Sequence, residues 1–427
     1  MGTWIGALTA RLRSGAGLGE RRVLAYGRIL LALEVAIFLF MIAGTHGLIV
    51  PTARPTTTDF VSFYAAGSLA DSGMPAAAYD QAAHQAAEER ATEPGIGYQF
   101  FYYPPVLLML CAALARLPYL VAFVVFEALT LALYLLVARR TLNAASFSAV
   151  VPLLAFPSVF WTLGLGQNAF LTAGLFGAAL LLVDRRPAAS GLLFGMLCYK
   201  PHFGLLIPIA LAAGRRWRAF AAAALSAAAL VLLSTLLFGW EVWRDYLSLA
   251  VGSHSTYESG RIDLGGFVSV FGAIRLLGGS AMTAYAAQAL VMLGAGLLVG
   301  IVWWRDLSLP VRAAALAAAA VAAVPVVLLY DLMLVAIAGA WLIRAGRVHG
   351  FLAWEKAGLA GLFVLPLFAR DVGGTWHVPL GALAPLAMLA LVYARARFEM
   401  APPVAAAPDD AALRALGCQL APFLPGA

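Results

Sequence analysis

Long apolar runs separated by short arginine-containing loops make up most of this chain after Phe101. Of the 427 residues, 63% are hydrophobic and only 11% are charged, whereas about a quarter of a soluble domain is charged. A helix needs about 20 apolar residues to cross a bilayer, and the runs lack the alternation of barrel strands. The sequence therefore predicts an all-α polytopic membrane protein with about twelve transmembrane helices.

The cysteines and the net charge exclude other classes of function. Cys111, Cys198 and Cys418 lack metal-ligand spacing, so we predict no disulfide, no metal site and no cofactor. The net charge of +7 comes from arginines between the apolar runs, which reflects membrane topology. Because no basic patch is interleaved with aromatic residues, we expect membrane lipids and no nucleic acid among the partners.

The arginine clusters predict the topology. Positive residues remain on the cytoplasmic side, so consecutive clusters must enclose an even number of crossings. The clusters are Arg139-Arg140, Arg185-Arg186, Arg215-Arg216 with Arg218, Arg305, Arg344 with Arg347, and Arg395 with Arg397. Residues 1–28 are predicted to be cytoplasmic, and residues 29–50 to be an uncleaved first helix, because this run is longer than a signal-peptide core. Residues 29–400 would form the transmembrane domain and residues 401–427 a cytoplasmic tail.

Residues 51–118 are predicted to form the first outer loop. Two apolar stretches follow the polar part of this loop, yet only an odd number of crossings fits before the inner cluster at Arg139-Arg140. We therefore assign 106–117 to a juxtamembrane helix and 119–137 to the second crossing. The other predicted crossings are 147–162, 169–183, 188–199, 201–213, 219–238, 281–304, 311–325, 328–343, 357–369 and 379–394.

Asp59 lies in the polar stretch Thr56-Thr57-Thr58-Asp59-Phe60, directly after the first apolar run. The residues that follow suit a short amphipathic helix that begins near Asp59 and lies on the membrane. Asp59 is then either the N-cap of this helix or the base of a membrane enzyme. The residues leave both interpretations open.

Three further motifs fall on the same predicted outer face. Gln167 and Asn168 precede an apolar helix, where they either cap it or bind sugar hydroxyls or an anion. Lys200 is one of two lysines in the chain and follows a Pro-broken apolar run, so it is either a phosphate ligand or a snorkelling interfacial residue. Asp331 lies at the edge of an apolar helix, where an acid is costly unless it is paired or hydrated.

The loop from Ser253 to Asp263 is the longest polar segment after residue 100. It contains His254 and Arg261, which either contact a phosphate or are simply solvated. The same outer face is predicted to hold the Tyr103-Pro104-Pro105 turn, His202, Tyr330, Arg370, Asp371 and His377.

Taken in order, these motifs resemble glycosyltransferase family 87, over the range from Asp59 to about residue 345. They are Thr58-Asp59-Phe60, Tyr64-Ala65-Ala66-Gly67, Tyr79-Asp80, Tyr102-Tyr103-Pro104-Pro105, Gly166-Gln167-Asn168, Lys200-Pro201 and Tyr330-Asp331-Leu332. The resemblance implies the GT-C fold, with juxtamembrane helices in the first outer loop. It also implies inverting transfer of a hexose, usually mannose, from a polyprenyl-phosphate donor to an extracytoplasmic lipid or glycan acceptor, in a bacterial inner membrane.

The resemblance also implies roles for individual residues. Asp59 matches the loop aspartate of the family and would deprotonate the acceptor. Lys200 would hold the donor phosphate. The remaining substrate-binding residues would be Gln167, Asn168, Tyr103, His202, His254, Arg261, Tyr330 and Asp331. The Ala-rich segment before Tyr79 and the short loop 253–263 depart from better-known members, which leaves the acceptor open.

Three alternatives remain from the residues. A secondary transporter would place ionisable residues deep in broken helices and often shows internal repeats; here no repeat is visible and Asp59 is in a loop. A scaffold subunit would tolerate changes at Asp59 and Lys200. A polysaccharide polymerase or ligase would use a lipid-pyrophosphate donor instead.

Overall fold

The computed structural model describes residues 2–43, 58–144, 146–252 and 263–401. These ranges contain twenty α-helices, no β-strand, and one isolated antiparallel bridge between Phe267 and Leu328. The helices are α1 (Gly2–Ser14), α2 (Glu20–Ala43), α3 (Phe60–Asp71), α4 (Gln81–Ala91), α5 (Pro105–Leu114), α6 (Tyr119–Thr141), α7 (Val150–Leu154), α8 (Pro157–Leu165), α9 (Ala169–Leu182), α10 (Pro187–Met196), α11 (Ile207–Ala213), α12 (Trp217–Phe238), α13 (Trp240–Gly252), α14 (Val270–Leu276), α15 (Ala281–Trp304), α16 (Leu309–Ala322), α17 (Met333–His349), α18 (Glu355–Val364), α19 (Ala369–Trp376) and α20 (Leu383–Met400).

Five helical segments among the described residues are long and apolar enough to cross a membrane. They are Tyr119–Thr141, Trp217–Phe238, Ala281–Trp304, Leu329–His349 and Leu380–Met400. A sixth crossing is possible if the bent pair Glu355–Leu367 and Ala369–Trp376, with 60° between its halves, counts as one span. The all-α polytopic architecture is therefore confirmed, while the count of twelve crossings stays a prediction.

Proline divides several predicted crossings into shorter pieces. The predicted segment 147–162 is two helices, α7 and α8, because Pro157 cannot continue the first helix and begins the second at its N-terminal turn. Pro201 separates α10 from α11 in the same way, with short 3₁₀ turns at Leu197–Tyr199 and Pro201–Gly204. Lys200 lies in this break, outside regular helix.

Two stretches differ from the sequence prediction. The second helix begins at Glu20 rather than at residue 29, so the arginines before the apolar run are helical as well. Residues 44–50 of the predicted first crossing lie outside the described residues. The stretch between the predicted crossings 219–238 and 281–304 is not only a loop, because Trp240–Gly252 forms α13, which exposes Trp240 and Val251 and buries Val242.

Helices α3, α4 and α5 form a compact group. The short helix expected near Asp59 is confirmed as α3, and eight of its twelve residues are buried. Its neighbours α4 and α5 pack against it and bury more than one of its faces. A Cβ at Gly67 would overlap the carbonyl group of Cys111, so only glycine allows α3 to approach α5 this closely.

Glycine contacts show the relative direction of α6 and α9. Gly166 lies beside Phe123, Gly174 beside Leu133, and Gly177 beside Val137. The residue numbers of the contacting pairs increase together along the two helices, so α6 and α9 run parallel. The predicted topology requires this, because both helices are assigned to run from the outer to the inner side.

A buried ion pair joins α18 to α20. Arg395 donates through Nε to Glu355 Oε1 at 3.0 Å and through its terminal nitrogens to the Gly350 carbonyl at 3.0 Å. Glu355 is 1% exposed. Removal of one partner from such a pair leaves the other as an uncompensated buried charge.

We expect Arg395→Ala to lower the free energy of unfolding by about 3–5 kcal/mol, because Glu355 would remain buried without its cation. Arg397→Ala on the same helix removes an exposed cation and should change stability by less than about 0.5 kcal/mol. Thermal unfolding in detergent measures both variants. Equal midpoints for the two would contradict this account of the ion pair.

Candidate active site

Asp59 directly precedes α3, but its carboxylate does not cap the helix. The residue has αR backbone angles, φ −62° and ψ −18°, and its side chain makes no hydrogen bond to the first turn. The carboxylate instead accepts a hydrogen bond of 2.7 Å from Gln167 Nε2, which comes from a distant part of the chain. The N-cap interpretation is therefore wrong for the side chain. Its second oxygen accepts no hydrogen bond from the described residues.

Gly166 brings Gln167 to Asp59. This glycine ends α8 with a positive φ of 68°, a conformation that L side chains rarely adopt. A Cβ there would lie 2.6 Å from the Phe60 Cβ and 2.8 Å from the Phe123 ring. The turn therefore packs directly on the start of α3, which places Gln167 beside Asp59.

Two tyrosines extend the hydrogen-bonded chain behind Gln167. The Tyr103 hydroxyl donates to Gln167 Oε1 at 3.4 Å, and the Tyr79 hydroxyl donates to the Tyr103 carbonyl at 3.0 Å. Burial raises the pKa of the Tyr103 phenol well above its usual value, so the phenol stays protonated as a donor. These contacts orient the Gln167 amide with its nitrogen toward Asp59.

Lys200 and Asp331 form a buried pair next to this chain. Lys200 Nζ donates to Asp331 Oδ1 at 2.7 Å and to Asn168 Oδ1 at 3.1 Å. Lys200 is 4% exposed, and the rings of Phe203 and Tyr330 lie 5.1 and 5.4 Å from its ammonium. Sequence reasoning treated Lys200 and Asp331 as separate substrate ligands, whereas the structure pairs them. The pairing offsets the desolvation free energy of burying either charge alone.

Asn168 occupies the N-cap position of α9, yet its side chain makes no capping bond. Its Oδ1 binds Lys200, and its fully buried Nδ2 makes no hydrogen bond of normal geometry among the described residues. The Asn168 side chain lies close enough to the Tyr103 phenol to lower its pKa. An unsatisfied buried amide donor is costly. This nitrogen is therefore a candidate donor to a bound oxygen atom.

Opposing effects act on the Asp59 carboxyl. Burial raises its pKa, while the Gln167 hydrogen bond and the positive charge of Arg370 lower it. Arg370 donates through Nε to Asp263 Oδ2 at 2.9 Å and lies over the Trp161 ring at 5.2 Å. Arg370 was predicted to lie on the outer face but was not predicted as a site residue. Because its charge lowers the pKa of Asp59, we assign it to the candidate active site.

The other predicted site residues have different outcomes. His202 is exposed and packs its ring on Phe203, at 4.5 Å between centroids. His254 and Arg261 lie outside the described residues. Sequence reasoning gave Tyr79 only as part of a motif, although its hydroxyl donates a hydrogen bond to the Tyr103 carbonyl.

No cluster of three or more histidine, cysteine or acidic side chains in the described ranges is placed to bind a metal ion.

These features define an all-α integral membrane protein with a hydrogen-bonded carboxylate and a buried lysine–aspartate pair among its helix ends. A family model for glycosyltransferase family 87 matches residues 101–331. The match covers more than half of the chain, so the protein belongs to glycosyltransferase family 87 and is a membrane glycosyltransferase. The matched range includes Tyr103, Gln167, Lys200 and Asp331, whereas Asp59 precedes it. Searches of curated proteins and of solved structures found no match.

We expect Gly166→Ala to lower stability by about 2–5 kcal/mol, because the new methyl combines left-handed strain with overlap against Phe60. It should also reduce glycosyl transfer, since Gln167 would move away from Asp59. Gly164→Ala is the matched control on α8, because a Cβ at that position would have no other atom within 4 Å. Thermal unfolding and transfer assays test both variants, and wild-type behaviour of Gly166→Ala would contradict the close contact.

Proposed function

We propose that the protein transfers a hexose, with mannose as the first candidate, from a polyprenyl-phosphate donor to a lipid or glycan acceptor. The reaction takes place on the extracytoplasmic face of a bacterial inner membrane and inverts the anomeric centre. The observation that carries the proposal is the Asp59 carboxylate, which one hydrogen bond from Gln167 orients while its second oxygen lacks a partner among the described residues. Family membership supports sugar transfer and stands against the transporter alternative.

Asp59 acts as the general base in this proposal. Its unpartnered oxygen takes the proton of the acceptor hydroxyl while the hydroxyl oxygen attacks the anomeric carbon. The bond between that carbon and the phosphate oxygen breaks, and polyprenyl phosphate leaves as an anion. A single displacement of this kind inverts the configuration. A positioned base contributes about 10²- to 10⁴-fold to such a rate.

The leaving phosphate needs positive charge and hydrogen-bond donors rather than a general acid. Lys200 uses two of its three ammonium hydrogens on Asp331 and Asn168, which leaves the third for a phosphate oxygen. Asn168 Nδ2 offers a second donor, and the Arg370 charge acts on the same site.

The other residues of the site have different roles in the proposal. Gln167 and Tyr103 orient the base, while the Tyr330 ring lies beside the Lys200 ammonium. His202, His254 and Arg261 remain candidate ligands.

We expect Asp59→Asn to reduce transfer of labelled mannose from polyprenyl-phosphate-mannose to a membrane lipid extract by about 10²- to 10⁴-fold. The variant keeps an oxygen that accepts from Gln167, so it should fold. Asp71→Asn is the matched control, because Asp71 ends the same helix and only pairs with Arg116 at the surface. Equal transfer by Asp59→Asn and wild type would remove Asp59 from the mechanism. A lipid-pyrophosphate donor in the same assay tests the polymerase or ligase alternative.

The pH dependence of transfer tests the environment of Asp59. Only the ionised carboxylate accepts a proton, so activity falls as the pH decreases through its pKa, which burial raises above the usual range. Gln167→Leu removes a hydrogen bond that favours the anion. We expect its acidic limb of kcat/KM to move to higher pH by about one unit. An unchanged limb would show that Asp59 is not the titrating group.

A further inference from the structure

Two titratable side chains that the proposed mechanism does not use are fully buried behind α3. His84 and Glu88 lie one turn apart on α4. His84 Nδ1 is 3.5 Å from Glu88 Oε1, and His84 Nε2 is 3.0 Å from the Ser62 carbonyl on α3. The Glu88 carboxyl accepts from the Gln99 backbone N–H at 3.1 Å.

These contacts hold the segment 97–103, which has no regular secondary structure. Its backbone groups therefore depend on neighbouring side chains. Glu88 binds the Gln99 N–H, the Ser62 hydroxyl donates to the Phe100 carbonyl at 3.2 Å, and Tyr79 binds the carbonyl of Tyr103.

Aromatic packing reinforces the same segment. The His84 ring stacks on Phe101 at 5.9 Å and meets Tyr98 edge-on at 5.7 Å, both between centroids. The segment ends at Tyr103, whose hydroxyl supports Gln167 and, through it, Asp59. The buried pair on α4 is thus connected to the proposed base by a continuous series of contacts.

The proton positions follow from the contacts. Burial raises the pKa of Glu88 to about 8 and lowers the pKa of His84 to about 4, so both side chains are neutral at pH 7. His84 Nε2 faces a carbonyl oxygen and must carry the hydrogen, which leaves Nδ1 as an acceptor. The protonated Glu88 carboxyl lies 3.5 Å from this nitrogen, and no hydrogen bond joins the two within the described residues.

We propose that His84 and Glu88 are positioning residues that hold the segment 97–103, so that Tyr103 and Gln167 align Asp59. This inference rests on the proposed role of Asp59 as the base. Neither side chain contacts the reacting atoms. Their contribution depends on the Glu88 carboxyl remaining protonated.

Burial and nearby acidic charges oppose the ionisation of Glu88 and raise its pKa, while the hydrogen bond from the Gln99 N–H has the opposite, smaller effect. The charged groups that act on it are acidic, Asp59 from the start of α3 and Glu89 from its own helix. Tyr98 faces it from the segment 97–103, and burial raises the pKa of that phenol, which keeps it neutral. Loss of the Glu88 proton leaves a buried anion without a neighbouring cation. Transfer should therefore fall at alkaline pH.

The central test is the pH profile of Glu88→Gln. Glutamine accepts from the Gln99 N–H and offers an N–H to His84 Nδ1, but it does not titrate. Wild-type transfer should be about tenfold lower at pH 9 than at pH 7, as one deprotonation near pH 8 requires. Glu88→Gln should keep about wild-type transfer at pH 7 and lose this alkaline limb, whereas Glu88→Ala should lose transfer at both pH values.

Two further variants complete the comparison. Glu89→Gln is the matched control, because the neighbouring Glu89 carboxyl binds the Gly95 N–H in an exposed turn. It should keep an alkaline limb, moved slightly to lower pH, because the Glu89 charge contributes to the raised pKa of Glu88. His84→Phe preserves the stacking on Phe101 but removes the contact of Nε2 with the Ser62 carbonyl. It should lower transfer at pH 7 and keep an alkaline limb, because Glu88 still titrates.

Infrared difference spectroscopy tests the pair without any substrate. Wild type minus Glu88→Gln at pH 7 should show a protonated-carboxyl band that disappears above about pH 8. This result would stand even if transfer from polyprenyl-phosphate-mannose failed, so failure of the proposed function is distinguishable. Absence of the band, or the same alkaline limb in wild type and Glu88→Gln, would overturn the inference.

Discussion

The hydrogen bond between Gln167 and Asp59 connects the start of α3 to the turn between α8 and α9, and the candidate active site depends on it. It joins residues that are 108 positions apart in the chain. The contact requires a turn at Gly166 that only glycine makes without strain, and a tight fit of that turn on Phe60. Without this fit, Asp59 would be an ordinary residue at the start of a short helix.

Paired charges lie at both ends of α9. At its start, Lys200 binds Asp331 and Asn168. Beyond its end, Asp184 binds Arg216 at 2.9 Å and Arg312 at 2.7 Å. The helix has 14 residues, which separates the two groups by about 20 Å. The arginine-rich end agrees with the predicted cytoplasmic side, so the lysine–aspartate pair and Asp59 fall on the opposite side.

Apolar run length predicted the long helices well, because membrane crossing depends on local composition. The predicted crossings 119–137 and 281–304 correspond to α6 and α15. Tertiary partners were not predictable in this way. Asp331 was recognised as costly in an apolar setting and Lys200 as a candidate phosphate ligand, but their pairing across 131 positions leaves no periodic signal. The pair of His84 and Glu88 also escaped notice, because its helix is polar overall and resembles a solvated surface helix.

The most direct test of this account is a cryo-electron microscopy structure of the Asp59→Asn protein with polyprenyl-phosphate-mannose bound. The account predicts that the anomeric carbon faces residue 59 and that the phosphate contacts Lys200, Asn168 or Arg370. A headgroup bound at the other end of α9, beside Asp184 and Arg312, would contradict it.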